Sequence, residues 1–143
     1  MEDNKINARP DRPSLLAPEI SLGLFNLTGW EGTFFNYWKS HIGSGDQWVL
    51  SWYGNVETRE VKERIPAYDL VYLLDKLPKS IEVDEVEYFL TIGGSTIENG
   101  WQVDYRDIDD GQYHAEEAKT LTEATGLMAG FLVSAGVLAG NKA

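Results

Sequence analysis

Val86-Glu87-Tyr88-Phe89-Leu90-Thr91-Ile92 and, after the connection Gly93 to Gly100, Trp101-Gln102-Val103-Asp104-Tyr105-Arg106 decide the fold of this chain. In the second run Trp101, Val103 and Tyr105 alternate with Gln102, Asp104 and Arg106. Alternation at period two marks a strand with one buried face. The first run is aromatic and β-branched, as strands prefer. The two predict an antiparallel pair joined by a glycine-containing loop longer than a tight turn. Downstream, Thr120-Leu121-Thr122-Glu123 has the capping-box form. It predicts a helix over 121–138.

Working outward, the same order of elements precedes this unit. Residues 47–53 are aromatic and β-branched, Gly54-Asn55 is a two-residue turn signal, and 56–64 places Thr58, Glu60 and Lys62 on one wet side. Pro66 suits a first helical turn, Leu70, Leu73, Leu74 and Leu77 form an apolar stripe, and Pro78 stops it. A helix is predicted over 66–77. The order hairpin, helix, hairpin, helix predicts an α+β fold with a four-stranded antiparallel sheet and helices on one face. Trp101, Val103 and Tyr105 should share the face near Leu70 and Leu74. Ahead of it, Thr28-Gly29-Trp30-Glu31 reads as a capping box, and Trp30, Phe34, Trp38 and His41 recur at helical spacing. They predict an aromatic N-terminal helix over 29–42. Residues 1–13, with two prolines and charges of both signs, read as an extended tail. Residues 14–143 read as a single α+β domain.

The chain has no cysteine, which excludes disulfides and thiolate metal sites. The first residues lack the basic start and apolar run of a secretory signal, so a cytoplasmic location is expected. The net charge of −11 is unevenly placed. Between Ile81 and Glu117 stand eleven acids and one base, Arg106. Direct nucleic-acid binding is therefore disfavoured, because phosphate contacts need Lys and Arg. The stretch is either a solvated face that aids solubility or a surface for a basic partner. Its candidate contact residues are Asp107, Asp109, Asp110, Glu116 and Glu117.

No catalytic, cofactor or metal motif survives inspection. Asp104 to Gly111 resembles a calcium loop, but with Gly111 in the glycine place the first ligand position is Arg106. His41 and His114 lack zinc spacing. Gly43-Ser44-Gly45 has Ile42 where a nucleophile elbow has its leading glycine, and no Gly-rich phosphate loop ends in Lys. Carboxylates are too plentiful to single out a hydrolytic pair. Phe35 and Tyr37 fall off the aromatic stripe, which leaves core packing, a protein-binding patch or a sugar platform open for them.

The last helix carries no charge between Glu123 and Lys142. Leu121, Met128, Leu132 and Ala135 make one face for the sheet. Gly126, Gly130, Val133 and Val137 lie largely opposite, where a surface helix normally shows charge. A membrane span over Ala124–Asn141 is one reading. Cover by the N-terminal segment, or by a second copy in a homodimer, is the preferred one.

Ile65-Pro66-Ala67-Tyr68, Leu73-Leu74-Asp75-Lys76-Leu77-Pro78 and Trp101 to Arg106, with the capped final helix, resemble small uncharacterised bacteriophage and prophage proteins over about residues 47–138. The resemblance implies an origin, with the host cytoplasm as location, and no activity. Residues 1–46 lie outside it. The reading is thus a non-enzymatic macromolecule-binding protein, a phage accessory or inhibitor presenting acids to a basic protein partner. A nucleic-acid mimic is one form of it. A structural subunit that self-associates through its last helix is the alternative, and a small carboxylate hydrolase the second.

Overall fold

The structure, a computed structural model, describes residues 14–40, 48–52 and 61–140. Along the chain run α1 (Pro18–Thr28), β1 (Phe35–Ser40), β2 (Val49–Trp52), β3 (Val61–Ala67), α2 (Leu70–Lys76), β4 (Ser80–Val83), β5 (Val86–Gly94), β6 (Trp101–Arg106), β7 (Gln112–Ala118) and α3 (Leu121–Ser134). The strands form two antiparallel sheets, ordered β2-β1-β3 and β4-β5-β6-β7. Helix α1 packs on β3 and on α3, and α3 packs on β6 and β7. The two helices thus lie between the two sheets. The α+β class and an antiparallel four-stranded sheet hold, but the membership of that sheet changes.

Residues 29–40 of the predicted helix are not helical, and 41–42 lie outside the described residues. Residues 35–40 are a strand, and the helix lies earlier, at α1. Pro18 opens α1 where its missing N–H costs nothing. Gly29, at φ 70°, closes it by donating its N–H to Phe25 O (2.7 Å). Thr28-Gly29 is therefore a helix stop, and the Thr28 hydroxyl accepts the Trp30 N–H (3.1 Å). Gly32, at φ 91°, turns the chain again. In β1 the alternation wins over the four-residue spacing: Tyr37 is buried against Ile65 and Ala67, with Leu22 and Phe25 of α1 over them.

The first predicted hairpin is also corrected. β2 and β3 do not pair with each other; each pairs with β1, which the sequence reading had assigned to a helix. The predicted turn at Gly54-Asn55 lies outside the described residues, as do the 1–13 tail and His41. Pro66 sits within β3, and α2 begins at Leu70 with Asp69 as its cap, the Asp69 Oδ1 accepting the Tyr72 N–H (2.8 Å). In the second unit the hairpin 86–106 stands, flanked by two further strands, β4 and β7. Val103 and Tyr105 are fully buried while Trp101 is 41% exposed. On α2 Leu73 is fully buried and Leu70 and Leu74 are half-buried, while Leu77, the residue that caps its end, is buried.

Residues 14–16 lock these parts together. Leu16 N–H donates to Tyr68 O (3.0 Å), the Tyr37 hydroxyl donates to Leu16 O (2.6 Å), and the Thr122 hydroxyl donates to Ser14 Oγ (2.6 Å). Leu15 pairs with Asp69. The Leu16 side chain lies where a Cβ on Gly126 would be, 2.8 Å from it. Gly130 faces Leu24 and Leu27 of α1 at 3.8 and 3.9 Å. Val133 and Val137 are half-buried against the same core. The uncharged side of the last helix is therefore covered by the chain's own N-terminal segment. Among the described residues no helix is long and apolar enough to cross a membrane.

These contacts separate residues that look alike. Gly126→Ala should lower stability by about 1–3 kcal/mol, because Leu16 is buried and must move. Gly130→Ala should be neutral or stabilising by up to about 1 kcal/mol, since helical glycine is entropically unfavourable and no atom is in the way. Leu73→Ala should cost about 2–5 kcal/mol and Leu74→Ala clearly less. Urea unfolding midpoints check all four.

Candidate functional site

β4 and β6 both run toward the same end of the second sheet, and each ends there in a turn. The β4–β5 turn carries Asp84 and Glu85 and the β6–β7 turn carries Asp107, Asp109 and Asp110. Glu82 and Glu87 stand directly opposite each other just inside it. The antiparallel pairing thus collects seven acids that are separate in sequence. Ile108, 88% exposed, projects among them, and Phe89, 44% exposed, lies on the adjoining sheet face. An open depression of about 500 Å³ beside β4 is lined by Ser80, Ile81, Glu82, Glu85 and Glu87.

Arg106, the one base of the stretch, does not neutralise these acids. Its Nε donates to Asp104 Oδ2 (2.7 Å). Asp104 lies on the sheet face opposite α3, yet is only 3% exposed. It also accepts from Thr91 Oγ1 (2.5 Å), Gln102 Nε2 (3.0 Å) and Gln112 Nε2 (3.1 Å). Burial pushes its pKa up, but these four hydrogen bonds to the carboxylate outweigh it and hold the value below the ordinary one. The hub ties β5, β6 and β7 together and pairs Arg106 with an acid outside the two turns.

The sequence candidates divide accordingly. Asp109 and Asp110 are exposed at the turn end. Asp107 has a structural task as well: its Oδ1 accepts the N–H groups of Asp109 (2.9 Å) and Gly111 (2.7 Å) and so closes the turn. Glu116 lies away from that end, half-buried, with Oε2 2.6 Å from His114 Nε2, and the His114 ring stacks on Phe131 of α3 at 3.5 Å. Glu117 accepts from Ser95 Oγ (3.1 Å) in the β5–β6 loop. Phe35 and Tyr37 pack in the first sheet, and Phe34, just before β1, is 64% exposed. Gly126 is buried, and Gly130, Val133 and Val137 are half-buried. Sequence reading missed Asp84 and Glu85 as turn residues, although an acidic pair between Val83 and Val86 was the available signal. Among the described residues no group of three or more His, Asp or Glu is arranged to hold a metal.

No protein-family model matches this chain, and no curated protein or solved structure does either.

Asp104 sets a pH dependence. Its folded pKa lies below the unfolded value of 3.8, so its stabilisation is complete above that value and is lost as pH falls through the folded one. Asp104→Ala should cost about 1–3 kcal/mol at neutral pH, by stranding its donors. It should also flatten the loss of stability below pH 3.8, read by urea unfolding at a series of pH values.

Proposed function

We propose that the protein is a non-enzymatic binding protein that captures a basic protein through the turn end of its second sheet. The carrying observation is that both turns at that end are acidic and that Arg106 is occupied elsewhere. Clustered charge of one sign raises the encounter rate with an oppositely charged partner. Ile108 and Phe89 supply apolar surface beside the charge, as interfaces do at their centres.

Backbone conformation supports the reading. Asp84 (φ 53°), Glu85 (φ 70°) and Asp110 (φ 68°) all stand in the left-handed region. A two-residue turn with both central residues there favours Asn-Gly. Asp tolerates this region as Asn does, whereas a longer side chain such as that of Glu85 costs about 1–2 kcal/mol there. Glu85 thus stands where glycine would give a more stable turn, and function is the reason we assign.

Charge reversal tests this directly. Glu85, Asp109 and Asp110 changed to Lys should slow association with a lysine- and arginine-rich peptide about tenfold or more at low salt, with a smaller effect on dissociation. Reversing Glu19, Glu31 and Glu123, on the helical side, should do far less. Equal effects from the two sets would reduce the site to net charge and defeat the reading. Asp84→Asn with Glu85→Gly should raise stability by about 1–2 kcal/mol while weakening the same binding.

A further inference from the structure

Among the described residues β7 is an edge strand of the second sheet, and we propose that this edge pairs with the β7 of a second copy of the chain, forming one continuous eight-stranded antiparallel sheet. β7 is the terminal strand of its sheet, with no further strand on it among the described residues. Helix α3 packs on a face of β7. β7 is seven residues long, enough for an edge ladder, whereas β4 at the opposite edge has four. An unpaired edge is a template for another strand unless charge or shape forbids it.

Side-chain pairing selects the register. Pairing about a two-fold axis keeps each face of the sheet continuous, so residues facing each other share a face and the axis passes through one residue. His114 and Glu116 are on the α3 side, since they oppose the buried Tyr105 and Val103 of β6. An axis through Glu116 sets glutamate against glutamate, and one through His114 sets histidine against histidine. An axis through Ala115 sets His114 of each copy against Glu116 of the other, twice, with two small alanines meeting on the axis. The pair already present within one chain, 2.6 Å apart, becomes a cluster of four alternating groups. The bulge that leaves Tyr113 without a counterpart on β6 limits the ladder at one end.

The long-range field agrees. In this antiparallel arrangement the acidic turns of the two copies stand at opposite ends of the joined sheet, so they do not repel across the new contact. The inference does not depend on what those turns bind.

Light scattering over a dilution series tests it, with a species of about twice 16.0 kDa expected for the unmodified chain. His114→Glu should return the mass to that of the monomer, and adding Glu116→His, which exchanges the pair, should restore the dimer. His114→Glu also removes the ring stacked on Phe131. Ala115→Lys is therefore the second variant: it leaves that stacking in place, sets two lysines on the axis and should give a folded monomer by circular dichroism. An unmodified chain that stays monomeric, or a dimer indifferent to Ala115→Lys, overturns the proposal.

Discussion

The seating of Leu16 in the space left by Gly126 is the contact on which the rest of the structure depends. Residues 14–16 touch β1 through Tyr37, the β3–α2 junction through Tyr68 and Asp69, and α3 through Thr122 and Gly126. Each sheet alone leaves an apolar face open, and a three-stranded sheet is marginal without cover. Helices α1 and α3 supply that cover, and the Leu16 segment comes close to α3 because α3 carries glycine at 126. Leucine fills the space a side chain would take, so the core gains apolar burial that a larger residue on α3 would exclude.

The backbone of the junction is satisfied at the same time. Tyr68 is fully buried and its hydroxyl donates to Trp30 O (2.7 Å), while the Tyr72 hydroxyl donates to Glu31 O (2.5 Å). Burial raises the pKa of both phenols, so both stay neutral donors through the physiological range. In this way the link between α1 and β1, which has no regular structure, is held by side chains of α2 and its approach. Tyr105 does the same on the second sheet, donating to Pro78 O (2.7 Å). These bonds connect the helical layer to the sheet that presents the acids. The charged turns therefore project from a braced sheet, which lowers the ordering cost of the encounter proposed above.

The second half of the fold was legible in the sequence because its signals agree locally. Alternation over Trp101–Arg106, the Thr120 cap and the stop at Pro78 each have one reading, and the Thr120 hydroxyl does accept the Glu123 N–H (3.1 Å). The first half was not, because one stretch supports two periods. Trp30, Phe34 and Trp38 fit a helix as well as Asn36, Tyr37 and Trp38 fit a strand. Gly29 decides the matter by ending α1, and Pro18 with Gly29 was the available pair of boundary signals. β7 was missed because Gln112-Tyr113-His114-Ala115-Glu116-Glu117 has little strand propensity; its pairing with β6 and the cover of α3 impose the strand. For the site, the acidic excess was visible, but only the pairing of β4 through β7 shows which acids stand together. Asp104 and Arg106 could be read as solvent-facing charges; their closure into a shielded hub depends on Thr91 and Gln112 from neighbouring strands.

Native-state hydrogen exchange at the Leu16 amide tests the central claim most directly. That N–H is bonded to Tyr68 O, so its opening reports the release of the N-terminal segment. The account predicts that it exchanges only with global unfolding, with the same denaturant dependence as the central amides of β6 and α3. Exchange of Leu16 through a low-energy opening, while β6 and α3 remain protected, would show that the rest of the fold stands without it.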